Sequence, residues 1–248
     1  MTNWVIGKII KNHKWTESLF SLILKAPIKP FIAGQFAKLA LEINGQRVQR
    51  AYSYVNAPND NQLEFYFVTV PEGKLTPYLK TLKYNDSIYI TEKSAGFFVL
   101  KELPDCETLW MISTGTAIGP FLSILQFGEN LERFYKIILI HAVRYSKDLN
   151  YLPLMKILEE KYKGKLSIQT IISRENKINS LRGRIPKLIE NGKLEKAVKS
   201  KFDPINCHVM LCGNPEMVKD TQKLLKIERG MNLNLRRKVG QITSEQYW

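Results

Sequence analysis

Arg50-Ala51-Tyr52-Ser53 places a cation, a flat aromatic ring and a hydroxyl within four residues. A guanidinium offers a fork of donors that matches phosphate oxygens. A tyrosine ring offers a stacking face while its hydroxyl can still hydrogen-bond. A small serine next to both suits close approach to the polar edge of a ring. The set fits a ligand with a pyrophosphate at one end and a planar ring at the other, or, more plainly, an edge strand with a surface arginine and a half-buried tyrosine. Further along, Thr114-Gly115-Thr116-Ala117-Ile118-Gly119-Pro120 follows the apolar run Leu109-Trp110-Met111-Ile112 and precedes an apolar helical stretch. A glycine turn in that place points free backbone N–H groups at an anion. It is neither the G-x-G-x-x-G dinucleotide fingerprint nor a Walker A loop, which would carry a lysine. An unliganded strand-to-helix turn also fits.

Gly73-Lys74-Leu75-Thr76 reads as a turn opening a short helix, whose N–H groups and Thr76 hydroxyl could receive a phosphate. An ordinary helix start reads the same way. Arg144, Arg174 and Arg184 fall where loops should follow strands. Arginine matches a phosphate in a bidentate way that lysine does not, although solvated surface charge is the simpler alternative. Glu175 is a counter-signal, because acidic residues accept from unphosphorylated ribose hydroxyls. Cys212-Gly213-Asn214-Pro215 ends an apolar strand and starts a helix at proline. Cys207, His208 and Cys212 have no standard zinc spacing, so no metal site is expected. His13 and His141 lack obvious partners, and His141 reads as a core residue of an apolar strand. The chain ends Ser244-Glu245-Gln246-Tyr247-Trp248, with two aromatics that need something to cover.

With 44% hydrophobic and 24% charged residues the composition is globular. The 248 residues suffice for one large domain or two of ordinary size. No apolar run approaches the ~18 residues of a membrane span, and the first residues lack the pattern of a secretory signal. Three cysteines make a poor disulfide framework. A soluble, reduced, cytoplasmic protein is the expectation. The net charge of +14 attracts anions over ~8 Å at physiological salt. Nucleic acid, acidic proteins and multiply charged nucleotides all fit such a field, and so does plain solubility.

The elements that must carry these motifs change rhythm near residues 100–105. Before that, short β-rich runs at 36–43, 63–70 and 87–91 are separated by turn signals such as Asn44-Gly45 and Asn85-Asp86. In the first run Ala37, Leu39, Leu41 and Ile43 share one face. Closely spaced short strands mean an antiparallel barrel or sandwich. A short helix is expected at 75–82. Afterwards, apolar strands at 108–112, 137–140, 168–172 and 209–212 alternate with helical segments at 117–127, 152–162, 185–191 and 215–227. That is a βαβ rhythm with a parallel sheet covered on both faces. The expected architecture is therefore β plus α/β: an N-terminal antiparallel β-barrel over 1–101 and a C-terminal Rossmann-like α/β domain over 102–248, packed with a cleft between them.

Taken in order, Arg50-Ala51-Tyr52-Ser53, Gly73-Lys74-Leu75-Thr76, Ser113 to Pro120, Cys212-Gly213-Asn214-Pro215 and the aromatic end resemble the ferredoxin/flavodoxin–NADP+ reductases of bacterial type. The resemblance runs nearly end to end. It implies FAD in the barrel, held by Arg50, Ala51, Tyr52, Ser53, Tyr66, Phe67, Val68, Lys74, Leu75, Thr76 and Thr116, with Tyr247 and Trp248 returning to cover the cofactor. It implies NADP(H) on the parallel sheet, held by Thr116, Arg144, Ser173, Arg174, Arg184, Cys212, Gly213 and Asn214. Tyr52, Ser53 and Cys212 would align hydride transfer, and Glu245 could take a polar role near the nicotinamide. The electron acceptor would be a small acidic flavodoxin or ferredoxin, a separate chain because three cysteines cannot ligate a four-cysteine cluster. A monomer is expected. Two other readings stand beside this one: an NADH-dependent reductase of another acceptor, and a non-catalytic basic nucleic-acid module, for which no RNP-like or helix-turn-helix pattern appears.

Overall fold

The computed structural model describes residues 2–235 and 237–247. The chain folds as two compact units, one of residues 1–99 with 119–128 and one of 100–118 with 129–248.

The first unit is built from β1 (Trp4–Lys14), β2 (Leu19–Lys25), β3 (Phe36–Ile43), β4 (Gln46–Ser53), β5 (Leu63–Val68), the short helix α1 (Thr76–Leu79) and β6 (Ser87–Thr91). The strands form one antiparallel six-stranded sheet in the order β4-β3-β6-β1-β2-β5. Just past β4, Tyr54 bridges Phe65 of β5, and Val55 N–H donates to Glu64 O at 2.9 Å, which brings the two outer strands together as a barrel. Ala37 and Leu39 are buried, as the alternation in β3 requires; Ala40, on the opposite face, is buried too. Phe65, Leu22, Leu24, Leu39 and Ile90 fill the interior. The expected helix at 75–82 shrinks to α1, because the chain turns as soon as Leu75 and Leu79 have reached this core.

The second unit holds β7 (Thr108–Thr114), with α2 (Gly119–Phe127) following it but belonging to the first unit. Next come β8 (Lys136–Val143), α3 (Leu152–Lys161), β9 (Leu166–Ile172), β10 (Ser180–Arg182), α4 (Ile185–Glu190), α5 (Lys193–Val198), β11 (Cys207–Gly213), α6 (Pro215–Arg229) and β12 (Ile242–Gln246). The strands are all parallel, in the order β10-β9-β8-β7-β11-β12. All of β11 and the middle of β7 are buried, as expected of strands covered on both faces. Trp110 stacks on Phe202 with ring centroids 4.0 Å apart, in a core shared with Ile185, Val218 and Leu225. The expected strands and helices of this half appear with ends shifted by a few residues; β10, α5 and β12 are additions.

α2 is mostly apolar, with Gly119 to Leu125 buried. Its first residue packs closely on the segment after β4: a Cβ at Gly119 would lie in ordinary contact, 3.4 Å from Val55 Cγ2 and 3.8 Å from Ser53 O. Ser123 Oγ donates to Asn56 O, and Gln126 Nε2 to Val55 O, both at 2.7 Å. These bonds tether the helix to the segment that follows β4. Ser123→Ala should therefore cost about 1–3 kcal/mol, since a buried carbonyl loses its donor. A lower urea midpoint at unchanged m-value would report it, and an unchanged midpoint would show that the tether contributes nothing.

Candidate active site

β4 presents the arginine–tyrosine–serine motif. Arg50 lies opposite Leu39 on β3, Tyr52 opposite Ala37 and Ser53 opposite Phe36. Opposed residues of an antiparallel pair share a face, so Tyr52 stands on the side of the buried Ala37 and Leu39. Its ring meets Phe67 edge-on, centroids 6.2 Å apart, and is half-buried. Burial pushes its phenol well above the ordinary value, with the Arg50 cation acting in the opposite sense, so the hydroxyl stays protonated. Arg50 is exposed, since β4 is an edge strand; its Nη1 donates to Gln49 O at 2.7 Å. Ala51 is exposed. Ser53 Oγ is buried with no hydrogen-bond partner among the described residues. Such an orphan is costly, and a polar ligand edge arriving at Ser53 would relieve it. A guanidinium, a tyrosine face and an unsatisfied hydroxyl at one strand end fit FAD.

On β5, Tyr66 and Phe67 are buried and Val68 is half-buried. In the turn before α1, Gly73 N–H donates to Val70 O at 2.9 Å, and Thr76 Oγ1 accepts from Val70 N–H at 3.0 Å. The Thr76 hydroxyl thus closes its own loop, while Leu75 is buried beneath it and Lys74 is exposed.

The second group gathers at the C-terminal ends of the parallel strands, where the strand order reverses between β7 and β11 and open α/β sheets bind their ligands. Asn214 N–H donates to Thr114 Oγ1 at 2.9 Å. Between them Gly213 has φ 139°, and a Cβ there would fall 2.1 Å from Thr114 Oγ1, so only glycine fits. Asn214 Oδ1 accepts from Met217 N–H at 3.1 Å and caps α6. Gly115, at φ 56°, opens the turn, and buried Thr116 follows it. His141 is fully buried on β8 and its Nε2–H donates to Gly115 O at 2.9 Å. Burial lowers its pKa to about 4, partly opposed by the Gly115 bond, so the ring is neutral. The histidine expected to be a core residue therefore also holds the glycine turn.

β12 places Glu245 beside Cys212 and Gln246 beside Gly213, and Tyr247 N–H donates to Gly213 O at 2.9 Å. Cys212 is fully buried, and burial first, then the neighbouring Glu245 charge, hold its thiol well above the ordinary value, against a bond from Tyr247. It is a neutral wall, not a thiolate nucleophile. Burial raises the Glu245 carboxyl to about 7. Trp248, expected at the cofactor, lies outside the described residues.

Arg144, Arg174 and Arg184 are exposed and follow β8, β9 and β10, which are consecutive neighbours in the sheet. Ser173 N–H donates to Val143 O at 3.0 Å and Arg174 N–H to Arg144 O at 3.1 Å, which joins the first two loops. Arg174 Nη1 donates to Tyr145 Oη at 3.3 Å, with the guanidinium 5.6 Å from the ring centroid. Glu175, the counter-signal, accepts from Ser146 N–H, and these Ser146 bonds hold its carboxyl below the ordinary value. It is turned into the loop and not offered to a ribose. Sequence reasoning missed Tyr145 and the Ser146–Glu175 and His141–Gly115 pairs. Tyr145 was accessible as an aromatic next to a phosphate-type arginine; the pairs join residues distant in sequence and left no local trace.

The chain matches the family models of the oxidoreductase FAD-binding domain over residues 9–96 and the oxidoreductase NAD-binding domain over 111–223. It is 59% identical over 248 residues to the flavodoxin/ferredoxin–NADP reductase of Shigella flexneri and 58% identical to that of Escherichia coli K12, each match covering the whole of both chains. The chain belongs to the flavodoxin/ferredoxin–NADP reductase family. A ferredoxin NADP+ reductase from Neisseria gonorrhoeae, solved with bound FAD and NADP, is similar in structure with a TM-score of 0.93 at 31% identity, covering 99% of each chain. The expected β-barrel plus α/β fold and the oxidoreductase assignment hold. No helix among the described residues is long and apolar enough to cross a membrane.

The buried groups of this reductase-family sheet dictate a pH dependence of stability. His141 and His208 both have pKa values lowered to about 4 from 6.5, so between those limits the unfolded chain binds protons the folded chain refuses, and stability falls as pH falls. Glu245 acts in the opposite sense, since its raised pKa makes the folded chain bind the extra proton between 4.5 and about 7. His141→Asn should remove one histidine contribution and flatten the fall between pH 4.5 and 6.5 by about 1.4 kcal/mol per pH unit. Urea unfolding at stepped pH measures this; an unaltered slope would mean that His141 titrates normally in the folded chain.

Proposed function

We propose that the chain takes a hydride from NADPH and delivers its electrons singly to a flavodoxin or ferredoxin. The observation that carries the choice of NADPH is the alignment of Arg144, Arg174 and Arg184 on three adjacent strand ends with Glu175 engaged elsewhere. Arginines at that edge suit a 2′-phosphate, and Glu175, the acid that follows Arg174, has its carboxylate on Ser146. This disfavours the NADH-dependent reading. Ser173 joins the same loop.

FAD, when bound, supplies the hydride acceptor and the ability to release electrons one at a time. The protein's residues align and exclude. Arg50 neutralises the pyrophosphate, the Tyr52 face supports the ring, and Ser53 Oγ meets its polar edge. Ala51, Tyr66, Phe67 and Val68 line the site through backbone. At the turn before α1, the N–H groups of Lys74, Leu75 and Thr76 take a phosphate in place of the Thr76 hydroxyl, which Val70 occupies. Thr116, on the turn held by His141, meets the NADP(H) pyrophosphate and lies close to both cofactors. Cys212, Gly213 and Asn214 shape the nicotinamide's place, where the protonated thiol adds no competing charge. Glu245, its carboxyl raised by burial to about 7, exchanges a proton near neutral pH beside that site. Correct placement of two rings can supply several kcal/mol of barrier reduction without any group acting as nucleophile.

We read residues 1–101 as the FAD domain and 102–248 as the NADP(H) domain. The carrier is acidic, drawn by the +14 net charge, which raises the association rate more than the affinity. The protein is a cytoplasmic monomer.

Arg174→Ala, or Arg144→Ala, should raise KM for NADPH about tenfold or more with little change for NADH, measured by steady-state reduction of a small dye. Equal effects on both nucleotides would defeat the assignment. Reduction of the protein carrier should slow steeply as salt rises from 50 to 300 mM, about tenfold or more, while reduction of a neutral dye stays level. Salt-independent carrier kinetics would rule out electrostatic docking.

A further inference from the structure

We propose that Glu175 is a positioning residue for NADPH selectivity: its carboxylate fastens the loop after β9 to the loop after β8 and so holds Arg144 and Arg174 ready for one phosphate. The proposal rests on the reading of these arginines as 2′-phosphate ligands. Successive residues of the second loop each bond to the first. Ser173 N–H donates to Val143 O at 3.0 Å, Arg174 N–H donates to Arg144 O at 3.1 Å, and Glu175 accepts from Ser146 N–H. The first two bonds continue the ladder between the parallel strands past its end. The next residue, Glu175, adds a side-chain bond to the Ser146 N–H.

Tyr145 sits inside the clamp. Its N–H donates to Asp148 Oδ2 at 3.2 Å, and its hydroxyl accepts from Arg174 Nη1 at 3.3 Å. Arg174 is thus held at its backbone by Arg144 and at its guanidinium by Tyr145, which is fixed by the turn that Glu175 anchors. Exposed arginines lose side-chain entropy when they close on a ligand, and a clamp that fixes them beforehand reduces that loss.

A carboxylate beside a phosphate site should repel the phosphate. Electrostatics alone therefore requires that removing Glu175 tighten NADPH binding, whereas the positioning role requires that it weaken. The opposite signs make the two separable. In the flavin-loaded enzyme, Glu175→Ala should raise KM for NADPH about tenfold with kcat and the NADH kinetics unchanged. It should weaken adenosine 2′,5′-bisphosphate, but not AMP, by a similar factor in calorimetry. Glu175→Gln, which keeps an acceptor facing Ser146, should stay within about threefold of the parent. In an Arg174→Ala background, Glu175→Ala should have a smaller effect than in the parent, because one of the two clamped arginines is gone. A fall or no change in the NADPH KM of Glu175→Ala, or an equal rise for NADH, would overturn the proposal. If Arg174→Ala by itself leaves the NADPH-to-NADH preference unchanged, the phosphate reading fails first, independently of Glu175.

Discussion

The close approach of β7 and β11 at their C-terminal ends is the constraint on which the nucleotide side of this protein depends. Asn214 N–H reaches Thr114 Oγ1 only because Gly213 has no Cβ, which would overlap that oxygen at 2.1 Å. One chain end leads into the Gly115–Thr116 turn and the other into α6, so the tie fixes both at once. The same glycine's carbonyl accepts from Tyr247, which docks the chain's last strand against the site. A larger residue at 213 would separate the strands where the turn, the cysteine and the terminal tyrosine must meet.

Around this tie the protein keeps its buried histidine and cysteine neutral. His141 holds the glycine turn as an uncharged donor, and Cys212 remains a thiol. Glu245 sits near the midpoint of its titration at neutral pH. Burial is the leading cause in each case, as desolvation penalises whichever form carries charge. Charge at these strand ends lies instead with the exposed Arg144, Arg174 and Arg184. The barrel repeats this division: Arg50 is exposed, while Tyr52 and Ser53 lie deeper and stay uncharged.

Charge at the rim is organised by polar contacts more than by ion pairs. The ion pairs of the described residues, such as Lys14–Glu17 and Lys163–Glu160, are mostly exposed and contribute little. Arg144, Arg174 and Arg184 appear in none of them. Their guanidiniums remain available to an anion, while Glu175 is turned onto Ser146 and Asp148 accepts from Tyr145 N–H.

Local sequence determined a great deal: the alternation in β3, the apolar runs of β7, β8 and β11, the glycine turns, and the residue types that suit pyrophosphate, ring and 2′-phosphate. These follow from side-chain periodicity and backbone freedom, which act over a few residues and are written in order along the chain. Tertiary structure decided what depends on partners far away in sequence. It assigned α2 to the barrel's unit, which a mostly apolar helix cannot announce, and it made a strand of the polar Thr243-Ser244-Glu245-Gln246 because β11 offered a free edge. It also joined His141 to Gly115, closed Thr76 onto Val70 and turned Glu175 onto Ser146. A carboxylate or imidazole has the same chemistry in any sequence context; which donor it meets, and how far burial moves its proton, exist only once distant segments have packed.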